Sequence, residues 1–426
     1  MSLWTLGWAC VGAHGLLAWS SLGAQSVPVF LALMATSSLL WAVAVARVLR
    51  RTGETSDTAR ILAIGIALRL VALVGEPMLD DDFYRYAWDA RVGASGVNPY
   101  LHPPASLALE ELRDDDWGRV SYPTVRTVYP PAAQWLFRAG AALAGGRSLG
   151  IRVLLVLLDI ATMALIADAL GALGIPRRQV LLYAWNPLVV KELANSGHID
   201  GLAVFLVAAA VWCWVREDAG AEPGSRFGLL GAAALGLGTL AKLYPAVLAP
   251  LVLRGLRQWL IAAAVVCAGY LPYRDAGELL LDGIRTYGLH WEFNGSLFPV
   301  LSALLAQGPG WLPRAAGAAV PFAVGAWWRI RHGAEARQRI SGSLAVLGSL
   351  FLFTPAAQVW YLCWLAPLVP FLPSRPWLLL MATSSVAYAY YLNGCDLWWI
   401  RPLEYGPPLA LAAAGLVGRI RRRSFR

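Results

Sequence analysis

Apolar residues arrive in this chain in blocks of about 15–22, the length a helix needs to cross a bilayer, and the blocks recur from one end to the other. Inside lipid every backbone N–H and C=O must be satisfied within its own segment, so such blocks restrict the fold to a bundle of helices. Of 426 residues, 58% are hydrophobic and 14% charged; soluble proteins carry about 25% charged residues. The sequence therefore predicts an all-α, polytopic integral membrane protein. Its spans fall near 3–22, 29–49, 61–77, 151–170, 180–193, 201–215, 227–240, 244–253, 260–271, 315–330, 344–354, 361–372, 376–391 and 408–417. That gives about 14 spanning helices in a single domain, 1–426, with no internal repeat, low-complexity tract or soluble domain. The first block opens at Leu3 and reads as a permanent span, not a cleavable signal.

The net charge of +9 raises the question of nucleic acid, but the placement of the charge answers it. Arg47, Arg50, Arg51 and Arg60 share one loop, Arg177 and Arg178 a second, and Arg329, Arg331, Arg337 and Arg339 a third, while Arg419, Arg421, Arg422, Arg423 and Arg426 close the chain. Basic clusters after alternate spans are the positive-inside pattern. They predict a multi-pass protein of the cell (inner) membrane with both ends in the cytoplasm, surrounded by membrane lipids and without a nucleic-acid partner. Two long loops, about 78–150 and 272–313, then face outward, with 300–305 re-entrant or interfacial. Cys10, Cys213, Cys267, Cys363 and Cys395 are too scattered for a disulfide framework or a metal site. They read as small packing residues, with Cys395 alone expected at the outer surface.

The chemistry-bearing side chains gather on the outward side. Asp80, Asp81 and Asp82 follow directly on the third span. Each carboxylate at mid-bilayer costs roughly 2.5–3.5 kcal/mol, so the triplet marks the exit into water and puts acids beside any membrane-borne substrate. If 80–93 continues as a helix, Asp82, Tyr86 and Asp89 share a face and Asp81 pairs with Arg85. Crowded carboxylates split their pKa values, which suits a general base or a divalent-cation site; a plain helix start capped by Asp is the competing reading. Proline and aromatic density from Pro99 through Tyr129-Pro130-Pro131 predicts a rigid loop, and 132–144 a helix along the interface. Arg126 stands just before those prolines as a phosphate ligand or a surface residue.

Asn195, His198 and Asp200 fill a tight turn after Lys191-Glu192, where they could hydrogen-bond a sugar or phosphate, at a spacing that does not fit zinc. Lys242, followed by Tyr244, lies between two apolar blocks, where it snorkels or meets an anion. Trp291, Glu292 and Trp398 belong to aromatic-rich later loops, suited to an interfacial belt or to stacking on sugar rings.

Asp81 to Asp89, Gly96–Tyr100, Tyr129-Pro130-Pro131, Trp185-Asn186-Pro187, Gly197 to Asp200 and Lys242 to Pro245 occur in this order. As a set they resemble the polyprenyl-phosphate-mannose-dependent mannosyltransferases of the GT-C class, closest to the bacterial α-mannosyltransferases that elongate mannosylated lipids and lipoglycans. The resemblance implies an inverting membrane glycosyltransferase that takes a sugar from a polyprenyl-phosphate donor to a lipid-linked or glycan acceptor at the outer face. It places the catalytic carboxylate, a general base, on Asp81 or Asp82, with Asp80 as neighbour. On this reading Lys242, His198, Arg126 and Tyr244 meet the donor phosphate. Arg85, Asp89, Asn195, Asp200, Trp291, Glu292 and Trp398 meet the sugar or acceptor. No cofactor is required, although a divalent cation is compatible. The chain departs from the family where Trp-Asp-Gly is replaced by Trp88-Asp89-Ala90, and in two spans ahead of the usual first. A flippase or transporter of lipid-linked sugars, or a glycan polymerase, is the alternative, and Arg69 and Asp159 within predicted spans speak for a transporter.

Overall fold

The computed structural model describes residues 2–51, 57–145, 148–219, 226–393 and 398–424, with the backbone alone at 393 and 417–424. Cys395 and Asp396 lie outside the described residues. Among the described residues the α-helices of nine residues or more are α1 (Leu3–Ser21), α2 (Val27–Arg50), α3 (Thr58–Val74), α4 (Asp82–Ala94), α5 (Pro131–Leu143), α6 (Leu149–Ala172) and α7 (Asp200–Asp218). They continue as α8 (Arg226–Ala241), α9 (Leu256–Tyr270), α10 (Asp282–His290), α11 (Leu312–His332), α12 (Ala336–Phe353), α13 (Arg375–Thr383) and α14 (Ile400–Ser424). Among the described residues there is no strand beyond isolated bridges of Phe293 and Asn294 with Ala356.

Sequence neighbours pack on one another: α1 lies against α2 and α3, and α6, α7, α8 and α9 form a consecutive row. Further along, α11 pairs with α12 and α13 with α14. The ends follow local rules. Ser2 Oγ accepts from Thr5 N at 3.0 Å to cap α1, and Pro28 sits in the first turn of α2. Glycine sets the crossing of α5 on α6: a Cβ on Gly150 would stand 1.9 Å from the Gly140 carbonyl oxygen.

Among the described residues two helices, α2 and α6, are long and apolar enough to cross a membrane, and a third crossing exists if Pro187–Asn195 and α7 form one span broken by a 120° bend. This changes the reading of several apolar blocks. Residues 180–193 form no continuous helix but a chain of short turns ending in a π-helical turn, Val190–Asn195, and every residue from 180 to 200 is buried. Blocks 244–253 and 361–372 are likewise broken into short 3₁₀, α and turn segments, with Leu362, Cys363, Leu365 and Leu368 inaccessible. Their apolarity faces protein rather than lipid, which hydropathy cannot distinguish.

The two ionisable residues inside predicted spans find each other. Arg69 Nε lies 2.9 Å from Asp159 Oδ2, both fully buried, and Arg69 also donates to the Ala184 carbonyl while Tyr183 donates to Asp159. The pair ties α3 to α6. Cys10, Cys213 and Cys363 are buried packers as expected, whereas Cys267 is exposed on α9.

Candidate active site

The site begins where α3 ends. Three carbonyls there, of Ala72, Leu73 and Gly75, accept from Arg152 Nη2. The turn that follows is clamped by side chains from elsewhere. Asn195 Nδ2 donates to the Ala72 and Glu76 carbonyls, and its Oδ1 accepts from Met78 N at 3.0 Å. Gln25 donates to the Pro77 carbonyl and accepts from Leu79 N. Leu79 is held at φ +51°, an uncommon conformation for a non-glycine residue. Asp80 Oδ1 then accepts from Asp82 N at 2.9 Å, which starts α4. The helix-start reading thus holds for Asp80, and Asn195 is a buried clamp of this turn, not a sugar ligand.

The π-helical turn supplies the opposing residues. Its extra residue per turn, with Gly197 at φ +70°, swings the chain through the bend into α7. Lys191, Glu192, His198 and Asp200 thereby face the aspartates. His198 Nε2 lies 2.7 Å from Asp80 Oδ2 and 3.2 Å from Glu192 Oε2, and Nδ1 lies 3.7 Å from Asp82 Oδ2. Its ring stacks on Trp360 at 4.1 Å. Lys191 Nζ pairs with Glu192 Oε2 at 3.0 Å, and Tyr388 O–H donates to Glu192 Oε1 at 2.8 Å. Burial opposes the charge on Asp80, but His198 outweighs it and holds the carboxyl below its usual range. His198 is thus an anchor of Asp80 within the protein and does not line the cavity described next.

Asp81 and Asp82 line a cavity of about 500 Å³. Asp81 is exposed into it and belongs to no ion pair among the described residues. Burial of its surroundings, then the adjacent Asp82 and Asp80, push its carboxyl up to about 6. Lys242 and Tyr244 line the same cavity. Lys242 Nζ is 3.2 Å from Asp200 Oδ2, and the other carboxylate oxygen, Asp200 Oδ1, accepts from Trp364 Nε1 at 2.6 Å. The lysine side chain remains 20% exposed, with two further protons free to meet a ligand. Tyr244 stacks on Trp364 at 4.3 Å, and its buried hydroxyl has no hydrogen-bond partner. Asp200 is fully buried and acts on the cavity through Lys242.

Aromatic rings make the remaining walls. Trp291 lies between Tyr122 (4.7 Å) and Tyr287 (5.3 Å), and the Tyr287 and Tyr361 hydroxyls meet at 2.7 Å. Apart from Tyr122, these rings, with Trp360, Tyr390 and Tyr391, come from segments more than 200 residues after the three aspartates. Tyr122, Tyr287, Trp364 and Tyr388 are functional-looking positions that sequence reasoning missed. Their only signal was the general excess of aromatics.

Other expected ligands lie elsewhere. Arg85 reaches the cavity wall but is buried and pairs with Asp89 at 3.1 Å instead of Asp81. It also donates to the Tyr122 and Val125 carbonyls, pinning the loop that carries Tyr122. Asp89 accepts from Thr127 and Gln134 and is equally buried. Arg126 is a latch between the two long loops, donating to the Leu101 carbonyl and pairing with Asp282 at 2.8 Å, away from the cavity. Glu292 pairs with Arg314 at 2.9 Å and is exposed, and Trp398 is 73% exposed outside the cavity.

Asp80, Glu192 and His198 bring ligand atoms within 4.8 Å of one another, as do the three aspartates. The donor set is chemically able to hold a divalent cation, but Lys191 already neutralises Glu192.

The described residues thus form an all-helical bundle carrying an acidic, aromatic-walled cavity. Residues 4–257 match the family described as alpha-(1->6)-mannopyranosyltransferase, N-terminal domain, and the chain belongs to that family. The resemblance read from the ordered motifs is thereby confirmed. In fold the chain is similar to the crystal structure of ArnT from Cupriavidus metallidurans bound to undecaprenyl phosphate, with TM-score 0.50 and 15% identity, over 85% of this chain and 65% of that one. The chain therefore spans just under two thirds of that protein. No curated protein matches the sequence.

Proposed function

We propose that this chain is a membrane mannosyltransferase which moves a sugar from a polyprenyl phosphate to an acceptor hydroxyl, with inversion. The observation that carries the reading is Asp81, unpaired among the described residues and open to the cavity, its carboxyl pushed up to about 6 by burial and then by the adjacent aspartates. Its carboxylate accepts the acceptor's proton as that oxygen attacks the anomeric carbon. The bond from that carbon to the donor phosphate breaks on the opposite face. Polyprenyl phosphate leaves with its charge met by Lys242 and by the free hydroxyl of Tyr244, both preorganised on the cavity wall. The aromatic walls hold sugar rings by stacking. Family membership supports mannose, and the undecaprenyl phosphate bound to ArnT supports a polyprenyl donor.

The proposal includes a chain of many spans, with the cavity on the outward side and the short basic loops in the cytoplasm. The buried Arg69–Asp159 pair removes the main support for a transporter, since both charges are consumed in joining two helices. Purified protein in proteoliposomes, given radiolabelled polyprenyl-phosphate mannose and acceptor lipids, tests the reading. Label passing to the acceptor supports it. Label crossing the bilayer while still on its lipid defeats it.

A further inference from the structure

A second pocket of about 560 Å³ lies apart from the catalytic cavity, between α4, α5 and the 3₁₀ segment Leu271–Leu281. Gln134, 1% exposed, lines it. The orientation of its amide is fixed from behind. Nε2 donates to Asp89 Oδ2 and to Thr127 Oγ1, both at 3.0 Å, and a carboxylate cannot be faced by the amide oxygen. Oε1 is therefore left buried without a hydrogen-bond partner. It calls for a donor from a ligand.

Arg138, one turn further along α5, and Arg274 line the same pocket, both exposed. Neither makes a hydrogen bond or ion pair with a described residue, so their guanidinium groups are free for an anion. The one carboxylate in the lining, Asp275, accepts from Asn98 Nδ2 at 2.6 Å. The rim is apolar: Trp135 is 40% exposed and Leu271 58%. Below it α9 exposes Trp259 and Leu260. Arginine beside tryptophan above an apolar helix face is the composition of a lipid interface.

We propose that this pocket binds the head group of an anionic, hydroxyl-bearing phospholipid of the phosphatidylglycerol kind. The phosphate sits between Arg138 and Arg274, and a head-group hydroxyl donates to Gln134 Oε1. An ammonium head group would supply a donor but would meet two arginines. The inference does not rest on the transferase reading.

The test uses the purified full-length protein in a neutral detergent, with phosphatidylglycerol, phosphatidylcholine and glycerol 3-phosphate added separately and adducts counted by native mass spectrometry. Phosphatidylglycerol is expected to be retained where phosphatidylcholine is not. The Arg138→Gln/Arg274→Gln variant is expected to weaken that retention about tenfold or more, as loss of two charge-assisted contacts implies, while the Arg138→Lys/Arg274→Lys variant keeps part of it. Equal retention of the two lipids, or retention unchanged in the glutamine variant, overturns the site. Displacement of the lipid by an equal concentration of glycerol 3-phosphate overturns the bilayer as its source. Should the double glutamine variant fail to fold, Arg274→Gln alone carries the comparison, since that exposed side chain supports no helix.

Discussion

Three adjacent aspartates have three different fates, each set by what surrounds it. Asp80 is turned inward, accepts from the Asp82 amide at the start of α4 and pairs with His198. Asp82 touches Tyr86 and His198 at the cavity wall. Asp81 alone faces the cavity without a partner. A general base works only when unprotonated, and its carboxyl is raised to about 6. Transfer by the wild-type chain is therefore expected to rise with pH through about 6 and level off above it. Asp81→Asn is expected to lower kcat by at least a hundredfold, the scale of general-base catalysis, with the protein still monodisperse in detergent. A pH–rate profile for both proteins checks this, and an Asp81→Asn variant with normal rates would remove Asp81 from the mechanism. Lys242→Met takes away the charge facing the leaving phosphate and leaves Asp200 with only Trp364. A loss of about 10²–10³ in kcat is expected, measured at saturating donor. With Lys191, His198 and Lys242 supplying positive charge, EDTA is expected to leave the initial rate unchanged. A loss restored by added cation would instead turn Asp80, Glu192 and His198 into metal ligands.

At the level of elements, side chains distant in sequence hold loops in shape. Arg85, on α4, pairs with Asp89 and grips the carbonyls at 122 and 125. Both charged side chains are under 10% exposed, so Arg85→Met strands a buried carboxylate at a cost of about 3–5 kcal/mol. Lower thermal stability in detergent is expected, together with a higher KM for acceptor as Tyr122 loses its support. A variant as stable as wild type would show that Thr127 and Gln134 suffice for Asp89. Such contacts explain what the residues could and could not reveal beforehand. The triad, Lys242, Tyr244 and Trp291 were legible because charge or aromatics at the edge of an apolar block have few other uses. Arg85 pairs with Asp89 one turn away, but its other donors, like those of Asn195 and Arg126, go to carbonyls and carboxylates 25 to 156 residues away. No local pattern announces such partners. The 3.6-residue period likewise could not anticipate the π-helical turn, which is fixed by its tertiary surroundings.

Across the whole molecule, hydropathy records burial but not its kind. Blocks 180–193 and 361–372 are rich in apolar residues, yet they lie inside the protein, and among the described residues only α2, α6 and the bent pair have spanning length and composition. The proposed sidedness rests on charge alone: it puts the basic segments on one side and the aspartate cavity on the other. Cysteines placed singly at two exposed positions, in a chain whose own cysteines are replaced, separate the sides. Leu107 is 78% exposed on the first long loop, and Glu335 is exposed between α11 and α12. Leu107→Cys is expected to react with a membrane-impermeant maleimide in intact cells, and Glu335→Cys only after permeabilisation. The reverse pattern would put the carboxylates in the cytoplasm, where a donor presented at the outer leaflet could not reach Asp81, and the proposed transfer would fail with it.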